Sequence, residues 1–171
     1  DRDNHIPRTV LVPANEFIGM IGKAFAPHID LYLQAERNKL DKIILTAGQN
    51  IQEELENDIH ILNSSTKLIV AMKDAIEKCA GFNIPQALLD LFMLIKELLI
   101  KYSSTLTRVL PNRPKKDDQF KLICAISNTS AQLLSSISSL SEKVVSLVPD
   151  ETKPAINVDD AGDSIGTELK K

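Results

Sequence analysis

Few residues in this chain stand where side-chain chemistry would need them. His5, His28 and His60 are its only histidines. None has a second His or Cys at the i, i+4 spacing that lets two ligands share a helix face, so no metal site is expected. The segment GMIGKAF, Gly19 to Phe25, has the glycines and lysine of a phosphate loop in the wrong register. That loop needs four residues between its glycines and a hydroxyl residue after the lysine, whereas here two intervene and Ala24 follows. A nucleic-acid clamp built on two glycines three apart also lacks its basic groove. Glu53, Glu54, Glu56 and Asp58 crowd into six residues, and paired-acid catalysis needs two carboxyls in different environments. They read as the solvated end of a helix. The serines of SSISSLS, Ser135 to Ser141, have no glycine elbow or histidine to activate them. No catalytic residue, cofactor site or metal site is expected, and the chain is not read as an enzyme.

Two further groups remain. Cys79 and Cys124 sit inside apolar helical patterns and are expected as reduced core thiols, since free cysteine behaves as a small buried hydrophobe. Arg108, Arg113, Lys115 and Lys116 gather four positive charges between the last two helices, a patch for weak contact with acidic lipid or a partner, or simply a solvated loop. Across the 171 residues the formal net charge is −3. That removes the broad positive field on which non-specific nucleic-acid binding depends. With 43% hydrophobic and 25% charged residues and 4% aromatics, the composition is that of a globular chain with aliphatic helices. The longest apolar stretch, Ala87 to Ile100, is interrupted by Asp90, Lys96 and Glu97, too soon to span a bilayer. The absence of an initiator methionine and of a signal peptide suggests an excerpt from a longer polypeptide.

Helices must position whatever this chain presents. Residues 1–13 read as an extended lead-in, 14–149 as a helical bundle and 150–171 as a flexible acidic and polar tail. Asn15 caps a short helix through about Ala24, and Pro27 suits the first turn of the next. From there Ile29, Leu33, Leu40, Ile43, Ala47, Ile51 and Leu55 trace one stripe on a long helix, weakened at Gly48. Asn63, Ser64 and Ser65 precede a helix carrying Leu68, Ile69, Met72, Ile76, Cys79 and Ala80, with Gly81 as its left-handed closing residue. Pro85 opens a helix through Leu88, Leu91, Phe92, Ile95, Leu98, Leu99, Tyr102, Leu106 and Val109. It looks apolar nearly all round and hence central, and LPNRP, Leu110 to Pro114, ends it. Asp117 or Asp118 starts the last helix, whose inward set is expected to be Phe120, Ile123, Cys124, Ala131, Leu134, Ile137, Val144 and Val148, ending near Pro149. No alternating strand pattern of useful length is visible. The expected fold is all-α, an antiparallel bundle of four to five helices.

The run LICAISNTS, Leu122 to Ser130, breaks this aliphatic order. Cys124, Ser127, Asn128 and Ala131 fall on one side of the last helix. Asn128 is expected to hydrogen-bond a neighbouring element and fix helix register, the alternative being an amide in water. Ser127 and Thr129 are expected to return their hydroxyls to carbonyls of the preceding turn.

Taken together, three segments resemble one family. Ser64, Ser65, Cys79, Leu88, Leu89, Asp90, Leu91, Tyr102, Leu110 and Pro111 fall as in the fifty-three subunit of the GARP and EARP vesicle-tethering complexes. LICAISNTS is similar to that family's Ile-Cys-x-Ile-x-Asn-Thr run, and PHIDLYLQAERNKLDKII, Pro27 to Ile44, suits the helix upstream. The family commonly continues with Ala-Glu-Tyr-Cys, where this chain has Ser130, Ala131, Gln132 and Leu133. The resemblance implies a divergent internal segment of a helical rod in a multisubunit tether, acting in retrograde endosome-to-trans-Golgi transport. Other tether subunits would be its partners, SNAREs or small GTPases further ones, on the cytosolic face of trans-Golgi and endosome membranes. Two other readings stay open: a helical module presenting a groove to a partner helix, and a helical lipid-binding protein.

Overall fold

Apolar residues spaced three and four apart build helices α1 (Ile29–Gln49), α2 (Asn63–Gly81), α3 (Pro85–Val109) and α4 (Asp117–Leu147), with strands β1 (Glu53–Glu56) and β2 (Ile59–Leu62) between α1 and α2. The computed structural model describes residues 20, 22–51, 53–56 and 59–148. The expected lead-in and tail, His5 and the cap at Asn15 lie outside the described residues. The architecture is an all-α bundle running up, down, up and down. Tyr32 of α1 meets Ala75 of α2, Ser64 of α2 meets Tyr102 of α3, and Ser65 of α2 meets Gln132 of α4. Sequential helices are therefore antiparallel, whereas α1 and α3 run parallel, as do α2 and α4. Two exposed ion pairs ladder α1 to α3: Arg37 grips the Glu97 carboxylate through both terminal nitrogens, at 2.8 and 2.6 Å, and Lys101 lies 2.6 Å from Asp41. Solvent screening limits each to less than about 1 kcal/mol, so they set alignment more than stability.

The aliphatic filling supplies the stability. Leu40, Leu68, Met72, Ile76, Leu91, Leu98 and Leu106 are essentially inaccessible to water, and full burial of each such side chain contributes about 1.5–3 kcal/mol. Helices α2 and α3 each touch the other three, so α3 is central as expected. Helix α3 is not apolar all round as expected: Gln86, Asp90, Glu97, Lys101 and Arg108 are exposed along it, and Met93 is 62% exposed. Gly48 is the close-approach point of α1 and α3, where a Cβ would stand 2.9 Å from Thr105 Cγ2.

Five local expectations are corrected. The helix expected to reach Leu55 stops at Gln49, and Asn50 turns extended at φ −136°. Acidic residues at 53, 54 and 56 would face the negative end of the helix dipole, and Gly48 weakens the last turn, so continuing the helix is unfavourable. Glu53, Glu54 and Glu56 lie instead on β1, paired antiparallel with β2 so that Glu56 faces Ile59; Asp58 lies outside the described residues. This hairpin is the strand pair that the sequence reading lacked. Asn63, Ser64 and Ser65 are the first turn of α2 rather than its cap, which is Leu62. Gly81 remains helical, and Asn83 takes the left-handed conformation at φ 54°, a region Asn tolerates because its short side chain bonds locally. Helix α4 is also turned from the expected face. Ala125, Ile126, Thr129, Leu133, Ile137, Leu140 and Val144 point inward, while Phe120, Cys124 and Ala131 are exposed and Ile123 and Leu134 half-buried.

Short helical residues 22–25 and the 3-10 turn Ala26–His28 close the lower end. The Phe82 ring lies 5.4 Å from that of Phe25 and edge-on to Tyr32 at 5.1 Å. A Cβ on Gly22 would stand 2.5 Å from the Phe82 carbonyl oxygen, so only glycine fits there. Lys143 of α4 pairs with Glu77 near the end of α2. The described chain thus enters and leaves at the same end, and the β-hairpin and the 110–116 loop lie at the other.

Candidate functional site

The polar residues of α4 close an open strand edge. Strand β2 pairs with β1 on one side only, which leaves the outward groups of His60 and Leu62 in need of partners. Asn128 donates its Nδ2–H to the His60 carbonyl at 3.1 Å, and the Leu62 N–H donates to Thr129 Oγ1 at 2.9 Å. Leu62 and Thr129 are buried, so water cannot substitute for that second bond. One turn further on, Ser65 Oγ lies 2.7 Å from the Leu62 carbonyl and 2.9 Å from Gln132 Oε1. Ser64 Oγ and the Tyr102 hydroxyl complete the seam at 2.7 Å. One polar line therefore stitches β2, α2, α3 and α4 together. The abrupt Ser-Asn-Thr-Ser stretch in an aliphatic helix is what an edge strand lying against it requires.

Thr129 differs from its expected part. Its oxygen serves another element, while Ser130 is the residue that returns its hydroxyl to the Ile126 carbonyl at 2.9 Å. Sequence reasoning missed Thr129 because it missed β2. The available signal was Ile59-His60-Ile61-Leu62, separated from an acidic run by Asn57-Asp58, residue types favoured in two-residue hairpin connections. Ser127 is exposed.

Burial makes the buried reactive groups inert. The Cys79 thiol is pushed up to about 11, mainly by desolvation and then by the charges of Asp90 and Glu36. It stays protonated at neutral pH, and the thiolate is the nucleophile. Desolvation also raises the Tyr102 hydroxyl to about 12, with the Ser64 bond opposing. Tyr32 is raised by burial first and by Glu36 second, and its hydroxyl donates to the Ala75 carbonyl at 2.8 Å. Glu36 Oε2 is buried without a hydrogen bond, and Lys39 Nζ stands 3.7 Å away. Cys124 does not share the setting of Cys79: it is exposed, against the expectation of a core thiol, because it lies with exposed Ala131 on the face that α4 turns outward. Both cysteines are free. Among the described residues no three His, Cys, Asp or Glu side chains gather as metal ligands, and no helix is long and apolar enough to cross a membrane. Arg108, Arg113, Lys115 and Lys116 are all exposed around the α3–α4 loop, apart from the seam.

The buried seam and the aliphatic core define a packed helical unit. The chain is 24% identical to vacuolar protein sorting-associated protein 53 A of Arabidopsis thaliana, over 91% of its own length. It spans 21% of that relative, about a fifth. No family model matches the chain, and no solved structure does. The similarity supports a distant relationship to that protein.

Proposed function

We propose that this chain is a structural and interaction segment of a multisubunit vesicle-tethering complex of the GARP or EARP type, serving retrograde transport from endosomes to the trans-Golgi network. The observation that carries the reading is the similarity to a vacuolar protein sorting protein along nearly the whole bundle. Residues that carry the family resemblance, Ser64, Ser65, Tyr102, Asn128 and Thr129, also lie together in the seam. In this role no bond is made or broken. The 31 residues of α4 measure about 46 Å at 1.5 Å per residue, and a rigid body of that length separates binding sites by a fixed distance. Linking sites this way raises the effective concentration of one membrane near another. Companion tether subunits are its partners, SNAREs or small GTPases further ones, and it works at the cytosolic face of the two membranes. Affinity capture of the full-length parent from cells tests the reading. Companion tether subunits are expected in the captured material, and an intact parent recovered without them would overturn it.

A further inference from the structure

The end of the bundle away from the chain's entry and exit carries unpaired positive charge. Arg108, Arg113, Lys115 and Lys116 are exposed, and none of their cationic groups pairs with an acid among the described residues. Lys121 and the ring of Phe120, 51% exposed, continue this patch onto the first turns of α4. The backbone beneath is held. Gln119 Oε1 accepts from the Lys115 and Lys116 N–H groups at 2.8 and 3.3 Å, and Leu110, Pro111 and Pro114 are half-buried.

Position makes the patch a tip. Gln132 stands level with Ser65 in the first turn of α2, so Asp117, where α4 begins, lies about 22 Å farther along that helix, and α3 runs about 10 Å past Tyr102 before the loop begins. Two acids, Asp117 and Asp118, share the tip at the positive end of the α4 dipole. The acidic strand β1 pairs with β2, whose Leu62 meets α4 at Thr129, about 18 Å along that helix from Asp117. Within residues 108–121 five exposed cations, Arg108, Arg113, Lys115, Lys116 and Lys121, stand against the two acids. The tip is therefore locally cationic although the chain is acidic overall. Long-stemmed exposed cations in one segment that also exposes an aromatic ring suit a fluid charged plane, which needs no fixed set of opposing carboxylates.

We propose that residues 108–121 dock against the anionic face of a lipid bilayer, with the cations meeting lipid phosphates and carboxylates and the Phe120 ring entering the headgroup boundary. This deepens the tethering reading, on which it rests for the presence of a membrane. The test is flotation of the full chain with vesicles of phosphatidylcholine alone or enriched in phosphatidylserine. Binding is expected only with the anionic vesicles and is lost in high salt. Each cation near such a surface contributes about fivefold in partition, so Arg113→Gln, Lys115→Gln and Lys116→Gln together weaken binding roughly a hundredfold. Phe120→Ser weakens it several-fold, and Lys42→Gln with Lys67→Gln, farther back, leaves it unchanged. Circular dichroism checks that every variant stays folded. Equal binding of the triple variant and the parent sequence, or equal binding to neutral vesicles, would overturn the proposal. So would tighter binding to soluble polyglutamate than to the anionic vesicles, which would assign the tip to an acidic polypeptide. Failed capture of companion subunits beside a positive flotation result would sink the tethering role and leave the tip standing.

Discussion

Replacing Thr129 with Val leaves the shape of α4 nearly unchanged and removes one oxygen. The Leu62 N–H, 2.9 Å from that oxygen and buried with it, then has no acceptor. An unsatisfied buried donor costs about 1–3 kcal/mol, and the extra buried methyl returns up to about 0.8 kcal/mol. The net loss is about 1–2 kcal/mol. For a domain of this size each kcal/mol moves Tm by about 2–4 °C, so a fall of about 2–8 °C is expected, with an unchanged urea m-value. Amide hydrogen exchange adds a local readout: the Leu62 amide should lose more protection than the global loss explains, because β2 frays from α4. Thr129→Ser keeps the acceptor and should retain Leu62 protection. Unchanged Leu62 protection in the Val variant, with Tm level or raised, would refute the argument that α4 closes this strand edge.

Other perturbations follow from single contacts. Asn83→Ala should cost about 1 kcal/mol because Ala lacks the short polar side chain whose local bonding makes φ 54° tolerable, while Asn83→Gly, with no Cβ to crowd, stays within a few tenths in urea melts. Gly22→Ala should destabilise by about 1–3 kcal/mol, since the new Cβ would meet the Phe82 carbonyl at 2.5 Å; unaltered thermal unfolding would contradict the packing of residues 22–25. A thiol reagent at neutral pH should label Cys124 alone in the native chain and both cysteines after denaturation. The Cys79 thiol ionises at about 11 when folded and nearer 9 when unfolded, so its contribution is complete below pH 9 and lost as pH rises toward 11. Cys79→Ala should flatten the decline of Tm across that window.

Much of the bundle was legible because aliphatic residues at helical spacing have few other ways to be buried. Leu68, Met72 and Ile76 of α2 and Leu91, Leu98 and Leu106 of α3 were named from spacing and are buried. Pro85, Asp117 and the prolines after Leu110 marked the helix ends for the same reason: each changes which backbone groups can bond. The hairpin was hidden because four-residue strands hold too few alternations to distinguish them from a helix turn. Missing it turned α4 as well. With β2 in place, Thr129 has a reason to be buried, and the inner face moves to Ala125, Ile126 and Leu133. The cationic groups of 108–116 were visible in the sequence, but their place at the end of the bundle depended on how far α4 runs past α2.

The central claim is that the segment holds apart, within a tether, sites that act on two membranes. Return of endosomal cargo to the trans-Golgi network, in cells whose parent protein lacks residues 20–148 but keeps the rest of its chain, tests this most directly. Cargo is expected to stall in endosomes, and an intact parent supplied in the same cells should restore its return. Normal retrieval with the segment excised would contradict the account.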